Sequence, residues 1–315
     1  YVAAGSTTWG VGHLRRSLAV IAELKGASIP LRTVAWVPSD EDRSRLTTIL
    51  AGYDQEVLRL DQISLLEADA LVVDVGTACQ PLIGPWLEAS GIPVVALDWY
   101  SPTAVNFCAV INLRGGASAL RQAIIRKEFL QARVQPGPST YDAVVVMGGA
   151  DPRGHLARLL SIFRQAEVLR GRRILFFAGP LSSLAGDNVP GAPWIEIVRQ
   201  SGDIAGLMAA SRLGLTNGGT ALMELTSLGK PTIVFPQTEE EDAFVGTFLD
   251  LGCSESGTLE AGALIGAMMR LWENNDVWQE RSAIAMALID GQGASRVAAR
   301  ILSAFGIVSG KQAAV

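Results

Sequence analysis

A pair of glycines, Gly218 and Gly219, stands between an apolar segment and a helical pattern in the second half of the chain. Because glycine has no Cβ, the backbone at this pair could approach a ligand closely. A helix beginning at Thr220 would point free N–H groups and a partial positive charge at the same place, and both favour a phosphate. Glu224, about one helical turn later, could accept hydrogen bonds from ribose hydroxyls. The stretch from Asn217 to Glu224 therefore predicts a nucleotide site, and the alternative is an ordinary helix start with a solvated glutamate.

A second glycine-containing turn precedes the first predicted helix and carries a histidine. Gly10 and Gly12 lie in this turn, but the third glycine of the dinucleotide-binding fingerprint is absent. His13 would stand at the positive end of the helix dipole, which disfavours the imidazolium and leaves a neutral general base near pH 7. Arg16, one turn later, could bind an anion. The alternative is that His13 only caps or packs the turn; the other histidine, His155, is predicted to lie at the surface.

Further polar residues and glycines follow other predicted strands. Asp74 ends an apolar strand and could orient a histidine or accept from a sugar hydroxyl, although it could also cap a loop. Gly148 and Gly149 could wrap phosphates or a sugar with backbone amides. Asp151, followed by proline, is typical of a helix start. The acids at 40–42 also indicate a helix start, so the sequence predicts no metal site.

The composition limits the class of protein. The 315 residues are 49% hydrophobic and 18% charged, with 33 glycines, which is typical of a globular α/β protein. A net charge of −5 gives no indication of nucleic-acid binding. The 3 cysteines are far apart, which favours a reducing cytoplasm over a disulfide scaffold. No apolar run reaches about 18 residues, so no membrane-spanning segment is predicted. The sequence does not determine an oligomeric state.

Short apolar runs without polar alternation predict strands buried on both faces, as in a parallel sheet covered by helices. In the first half the predicted strands are 2–4, 33–37, 57–60, 70–74, 94–97 and 109–112, and the predicted helices are 13–25, 42–51, 81–90 and 117–131. In the second half the predicted strands are 143–147, 174–177, 213–216 and 232–235, and the predicted helices are 154–167, 203–210, one after the glycine pair, and 242–251. Residues 259–305 are predicted to form three helices, divided at 277–278 and 291–293.

The length suggests two domains, since a domain averages about 150 residues. Two prolines and a glycine at 135–139 indicate a linker. We therefore predict an N-terminal Rossmann-like domain over 1–135, a C-terminal nucleotide-binding Rossmann-like domain over 140–290, and a last helix over 291–315 that packs back toward the first domain. Ligands of open parallel sheets sit beyond the carboxyl ends of the strands, where all these motifs fall, so a shared cleft is expected.

Three motifs in order resemble the GT-B nucleotide-sugar enzymes. They are Gly-Val-Gly-His-x-x-Arg from Gly10, Gly-Gly-Ala-Asp from Gly148, and Asn-Gly-Gly-Thr from Asn217 with Glu224 and a later Gly-Lys-Pro. The closest resemblance is to the UDP-sugar hydrolase of pseudaminic acid biosynthesis, and the peptidoglycan UDP-GlcNAc transferase is more distant. The resemblance extends over most of the chain, to about residue 252.

The resemblance implies a GT-B fold of two Rossmann-like domains whose parallel sheets face a central cleft. Uridine diphosphate (UDP) would lie on the second domain, with its ribose at Glu224 and its pyrophosphate at the loop from Gly218 to Thr220. His13 would activate water to attack the anomeric carbon with inversion and loss of UDP. Neither a metal nor a cofactor is expected, because helix termini and backbone amides neutralise the leaving diphosphate.

One departure affects the sugar side of this expectation. Where the hydrolases carry an Asn-Gln pair that contacts the sugar, this chain has Glu240 and Glu241. Acids here could suit a cationic or amino sugar through Glu240, or they could begin a helix in solvent, where acids are favourable. A GT-B glycosyltransferase, in which His13 deprotonates an acceptor hydroxyl, and an inactive UDP-binding homologue stay open as alternatives. An isomerase of the UDP-GlcNAc 2-epimerase type has fewer of its motifs.

Overall fold

A computed structural model describes residues 1–53, 56–135, 139–149, 151–179, 182, 184, 189, 191–199 and 202–307. Residues 136–138 of the predicted linker lie outside the described residues, as does Ala150 of the Gly-Gly-Ala-Asp motif. The chain divides into two compact units. Unit 1 contains Tyr1–Ile124 and the described residues from Gln292 onward, and unit 2 is Ile125–Gly291.

Unit 1 contains a six-stranded sheet in which every pairing is parallel, in the order β3-β2-β1-β4-β5-β6. Its strands are β1 (Val2–Ala4), β2 (Val34–Val37), β3 (Val57–Arg59), β4 (Leu71–Asp74), β5 (Val94–Leu97) and β6 (Phe107–Ile111). Its helices are α1 (Gly12–Lys25), α2 (Asp40–Arg45), α3 (Thr47–Leu50), α4 (Gln80–Ser90), α5 (Ala117–Leu120) and α13 (Gly293–Ala304). All residues of β4 and β5 are buried, as strands with helices on both faces must be.

Unit 2 repeats this topology with different residues. Its strands are β7 (Tyr141–Val146), β8 (Ile174–Phe177), β9 (Ile195–Val198), β10 (Ser211–Thr216), β11 (Thr232–Val234) and β12 (Ser254–Ser256). Their order is β9-β8-β7-β10-β11-β12, again with every pairing parallel. Its helices are α6 (Lys127–Val134), α7 (His155–Gln165), α8 (Ile204–Ala209), α9 (Thr220–Ser227), α10 (Glu239–Asp250), α11 (Ala261–Glu273) and α12 (Asn275–Leu288).

Both sheets have the doubly wound strand order, in which the first strand is central and the direction of winding reverses beside it. The reversal falls between β1 and β4 in unit 1, and between β7 and β10 in unit 2. Ligands of such sheets bind beyond the carboxyl ends of these two strands. The prediction of two Rossmann-like parallel α/β units is therefore confirmed, and the candidate motifs of each unit follow its two central strands.

The predicted helix 117–131 is wrong, because the structure has the short α5 and, later, α6. Between them Ala123, Ile124 and Ile125 are almost fully buried. Consecutive residues of a helix point about 100° apart, so three in a row cannot share one buried face. By its contacts α6 belongs to unit 2, although the sequence grouped residues up to 135 with the first half.

Two further differences concern the later part of unit 2. The break between α11 and α12 lies at Asn274, whose side chain accepts a hydrogen bond from the N–H of Val277 and caps α12, so the predicted break at 277–278 is wrong. The outer strands β9 and β12 were not predicted. Both strands are short and have a polar residue at the exposed position, so neither has the continuous apolar run of a central strand.

The helix α13 packs in unit 1, against α1 and β6. Its first residue, Gly293, lies directly against the backbone of Ala123, where a Cβ would not fit. Arg296 donates to the carbonyl oxygen of Arg121 at 2.8 Å. The chain thus leaves unit 1 after Ile124 and contributes its last described helix to the same unit. Among the described helices, none has the length and apolar composition of a membrane span.

Candidate functional site

The loop between β1 and α1 carries His13 to the carboxyl end of the unit 1 sheet. Gly10 has a φ of 78°, and its carbonyl accepts from the N–H of Ser6 at 3.1 Å, which closes the loop. Thr7 donates to the Oδ1 atom of Asp42 through both its N–H, at 2.7 Å, and its hydroxyl, at 2.9 Å. Gly12 is the first residue of α1. The two predicted glycines therefore shape the turn that presents His13.

His13 and Asp74 lie in contact, as expected if Asp74 orients a histidine. The Nδ1 atom of His13 is 2.7 Å from the Oδ1 atom of Asp74, whose side chain is fully buried, whereas the side chain of His13 is 18% exposed. An ionised carboxylate only accepts, so Nδ1 carries the proton and Nε2 keeps its lone pair. A Cβ added at Gly76 would lie 3.5 Å from Nε2, which is an ordinary van der Waals distance, so Gly76 is a neighbour of that atom.

Arg16 binds the protein's own carboxylates. Its Nη2 atom donates to Asp74 Oδ1 at 2.6 Å, its Nε atom donates to both oxygens of Asp74 at 3.1 Å, and its Nη1 atom donates to Asp98 Oδ2 at 3.0 Å. The residue is 2% exposed. The prediction that Arg16 binds an anion of the substrate is therefore corrected, because its guanidinium is buried and engaged with these internal anions.

Burial and the neighbouring charges set the protonation of this cluster. Burial disfavours ionisation of Asp74, but the charge of Arg16 and the hydrogen bond from His13 outweigh it, so the pKa of Asp74 lies well below its usual range. The pKa of His13 lies below its ordinary value of 6.5, chiefly because of burial and then because of Arg16, with Asp74 opposing both. The sequence predicted a neutral imidazole from the helix dipole; the structure gives the same direction from burial and a neighbouring cation.

Asp98 is a member of this cluster to which the sequence analysis gave no role. It follows β5, has a φ of 53°, and accepts from the N–H of Leu113 at 2.7 Å. The side chain of Gln80 donates to the carbonyl oxygen of Asp98 at 2.7 Å and fixes its backbone. Tyr1 donates from its hydroxyl to Asp74 Oδ2 at 3.1 Å. The available signal for Asp98 was its place at the end of a buried strand next to β4.

The two glycine loops of unit 2 lie side by side, after β7 and β10. Gly148 has a φ of 73°, and a Cβ there would be 3.5 Å from the side chain of Asn217. A Cβ at Gly179 would be 2.6 Å from the carbonyl oxygen of Gly148 and 2.8 Å from that of Gly149, so only glycine fits at Gly179. The structure thus brings together the predicted loops at Gly148 and Asn217 within one unit.

Glu241 holds the second loop in place. Its Oε1 atom accepts from the side-chain amide of Asn217 at 2.6 Å, and its Oε2 atom accepts from the N–H of Gly218 at 3.2 Å and of Gln237 at 2.7 Å. Glu240 beside it is exposed at the start of α10. The two acids therefore differ: Glu240 lies at a solvated helix start, while Glu241 organises the glycine loop. Glu240 as a substrate-binding residue stays a prediction.

Thr220 is the first residue of α9, and the N-cap position is taken by Gly219, which has no side chain to accept a capping hydrogen bond. Glu224, one turn further, is 4% exposed, so the alternative of a solvated glutamate is wrong. Its Oε1 atom accepts from the Nε atom of Arg126 at 2.7 Å. Arg126, which precedes α6, was not identified from the sequence, because 98 residues separate the two partners.

His155 is buried rather than at the surface, with 7% exposure, and its ring centroid lies 6.0 Å from that of Phe235. It begins α7 on the side that faces the sheet, and the amphipathic pattern placed it on the wrong face. Asp151 accepts hydrogen bonds from the N–H groups of His155 and Leu156, both at 2.9 Å, so its side chain caps the N-terminus of α7 from a position before the helix. In the described part of the chain, no group of three or more His, Cys, Asp or Glu could hold a metal ion.

No protein-family model matches the chain. The spore coat polysaccharide biosynthesis protein SpsG of Bacillus subtilis (strain 168) is 28% identical over 165 residues, which are 50% of this chain and 48% of that protein. The match therefore spans about half the length of this curated relative.

Two solved structures are similar over nearly the whole chain. UDP-GlcNAc 2-epimerase from Neisseria meningitidis, bound to UDP-GlcNAc, has a TM-score of 0.62 at 12% identity, over 96% of this chain and 98% of the epimerase. CalG4, the calicheamicin glycosyltransferase, has a TM-score of 0.60 at 15% identity, over 98% of each chain. The chain has the GT-B fold of such proteins, which confirms the predicted fold class. The closer resemblance to a pseudaminic acid hydrolase stays a prediction.

Proposed function

We propose that this chain is an enzyme that cleaves a UDP-sugar at the anomeric carbon, with His13 as general base and water as nucleophile. The observation that carries the proposal is the 2.7 Å contact between His13 Nδ1 and Asp74 Oδ1 in a buried charged cluster. A histidine oriented by a carboxylate, with a lone pair on its second nitrogen, is an arrangement suited to removing a proton.

The cluster supplies the two properties that a general base needs. The carboxylate of Asp74 fixes the ring and the tautomer, so that Nε2 presents a lone pair. Burial and Arg16 lower the pKa of His13, so the ring is neutral at pH 7. A positioned base of this kind contributes about 10²- to 10⁴-fold to a rate.

Unit 2 contributes the groups that suit the nucleotide. The N-terminus of α9 at Thr220 and the glycine loop at Gly148 supply backbone N–H groups for a diphosphate in this proposal, while the N–H of Gly218 is bound by Glu241. Glu224 accepts hydrogen bonds from the ribose in this proposal. Support comes from the epimerase of the same fold, which is described as bound to UDP-GlcNAc. The relative named for spore coat polysaccharide biosynthesis supports a role in surface-glycan or nonulosonic acid synthesis.

In the proposed step the water oxygen forms a bond to the anomeric carbon while the bond from that carbon to the β-phosphate oxygen breaks. The proton of the water passes to Nε2 of His13, and the bonding pair leaves with UDP. Asp74 stabilises the imidazolium that results. A single displacement inverts the anomeric configuration. The proposal predicts catalytic turnover, and turnover is its test.

The test is incubation with a panel of UDP-, GDP- and CMP-sugars, with detection of the released nucleotide. We expect release from a UDP-sugar in the absence of an acceptor, and loss of that release in His13→Ala. UDP binding without release from any sugar would contradict the proposal and favour an inactive UDP-binding homologue. Release from a GDP- or CMP-sugar alone would reject the choice of uridine.

Transfer to an acceptor hydroxyl is the second candidate, and the similarity of the whole chain to a calicheamicin glycosyltransferase favours it. In that reaction His13 would remove the proton of the acceptor in place of that of water. The same panel separates the candidates, because transfer releases UDP only when an acceptor is added, and a new glycosidic product appears in equal amount.

A further inference from the structure

Arg126 is a mostly buried arginine of unit 2 that has no part in the proposed reaction so far. Its side chain is 15% exposed, and its Nε atom donates at 2.7 Å to Oε1 of Glu224, whose side chain is 5% exposed. The two residues come from distant parts of unit 2, and α6 and α9 are in contact. The pair is therefore a tertiary contact that fixes the carboxylate of α9 against the start of α6.

Two more contacts fix the guanidinium of Arg126. Its Nη1 atom donates to Oε1 of Glu128 at 2.8 Å, and its central carbon lies 4.7 Å from the ring centroid of Phe129, which is fully buried. A guanidinium stacked on an aromatic face and engaged at two nitrogens has little freedom to rotate. Its Nε–H is therefore aimed at Glu224 by the contacts with Glu128 and Phe129 of α6.

The charges of Arg126 and Glu224 add an electrostatic contribution to this contact. Burial lowers the pKa of Arg126, but Glu224 and then Glu128 raise it more strongly, so the guanidinium keeps its proton. A buried carboxylate without a cation would tend to take up a proton and lose part of its capacity to accept hydrogen bonds. A cation at 2.7 Å opposes that loss.

We propose that Arg126 is a positioning residue that holds the carboxylate of Glu224 correctly oriented, so that unit 2 distinguishes a ribonucleotide from a 2′-deoxyribonucleotide. The inference rests on the proposed function, in which Glu224 accepts from the ribose. The ligand class that it specifies is a nucleoside diphosphate with an intact 2′-hydroxyl.

The test compares the dissociation constants of UDP and 2′-deoxy-UDP by titration calorimetry. For the wild type we expect UDP to bind about 10- to 100-fold more tightly, the range for losing a hydrogen bond to a charged group. Arg126→Gln should reduce this ratio to about 3-fold or less. In a Glu224→Gln background the further change Arg126→Gln should leave the ratio unchanged, because Arg126 acts through Glu224.

Two variants separate positioning from a general effect on folding. Arg170→Met removes an exposed arginine of unit 2 that pairs with Glu167, and it should keep the full wild-type ratio. Arg126→Lys keeps the charge but replaces a planar fork with a single ammonium, so an intermediate ratio is expected. A purely structural role for Arg126 would weaken both nucleotides equally and would lower the unfolding temperature without changing the ratio.

The outcomes are distinguishable. A wild type that binds both nucleotides equally rejects the ribose contact in the proposed function, and this inference with it. A wild type that prefers UDP, together with an Arg126→Gln protein of unchanged ratio, overturns the inference alone. Should Arg126→Gln fail to fold, Arg126→Lys is measured in its place, and a ratio equal to that of the wild type overturns the proposal.

Discussion

Asp74 in unit 1 and Glu224 in unit 2 are both buried carboxylates that pair with an arginine of the same unit, but their surroundings differ. Asp74 accepts from the side chains of Arg16, His13 and Tyr1. Glu224 lies one turn into a helix beside loops whose donors are mostly backbone N–H groups. The first setting fixes the tautomer of a histidine, and the second places a carboxylate beside the loops that the proposed function assigns to the nucleotide.

The same type of carboxylate–arginine pair therefore has a different role in each unit. In unit 1 the side chains bind one another, and the side chain of His13 is more exposed than those of Asp74 and Arg16. In unit 2 the side chain of Glu241 organises a loop, and the proposed function assigns nucleotide binding chiefly to backbone groups. We therefore expect substitutions in unit 1 to change turnover and stability, and substitutions in unit 2 to change nucleotide affinity.

The largest expected effect is on turnover in His13→Ala. Losing a positioned general base should lower kcat about 10²- to 10⁴-fold, whereas UDP affinity should stay within a few-fold, because the proposed UDP contacts lie in unit 2. Steady-state kinetics and titration calorimetry measure the two quantities. Turnover like that of the wild type would remove His13 from the mechanism.

Asp74→Asn should affect both turnover and stability. Removing the carboxylate leaves the buried charge of Arg16 short of a partner, which typically costs about 3–5 kcal/mol in the free energy of unfolding. It also removes the group that fixes the tautomer of His13, so kcat should fall. Asp98→Asn is the matched control, since Asp98 accepts from Arg16, whereas Asp74 accepts from both Arg16 and His13. Equal loss of kcat in the two variants would argue against a special role for Asp74.

Glu224→Ala should weaken UDP binding by about 1–3 kcal/mol, the range for losing a charge-assisted hydrogen bond. The unfolding temperature must be measured beside it, because the variant also leaves Arg126 without this partner. Unchanged affinity in calorimetry would mean that the ribose is held elsewhere.

The dependence of kcat/KM on pH tests the protonation state of His13. A base works when it is unprotonated, so activity should fall as the pH drops through the pKa of His13. Because that pKa lies below 6.5, the acid limb of the profile should lie below pH 6.5. A limb at or above pH 6.5 would show that burial and Arg16 do not set the protonation of His13.

The smallest expected effect is that of Glu241→Gln on stability. The change weakens the acceptor that binds the N–H groups of Gly218 and Gln237, and we expect a loss of about 0.5–1.5 kcal/mol in the free energy of unfolding. Glu240→Gln, at the exposed neighbouring position, should stay within about 0.5 kcal/mol of the wild type. Chemical denaturation measures both, and equal effects would mean that Glu241 does not organise the loop.

Much of the fold could be predicted from local patterns. The apolar runs at β4 and β5 indicated buried parallel strands, and the glycines before α1 and α9 indicated the turns that precede those helices. The edge strand β12 could not be predicted, because its residues are two serines and a glutamate with no apolar run. The break of the predicted helix 117–131 depends on burial against other elements, which local propensity does not describe.

The sequence by itself determined that two α/β units follow one another and that glycine turns with polar residues end their central strands. Buried strands and helix starts could be identified because each depends on residues that are adjacent in the chain. Only the tertiary structure decided that Arg16 binds Asp74 and Asp98, that Arg126 reaches Glu224, and that His155 is buried. Those partners are far apart in the chain. They meet because strand order and helix packing bring their elements together. The local hydrophobic periodicity of the sequence specifies neither of these.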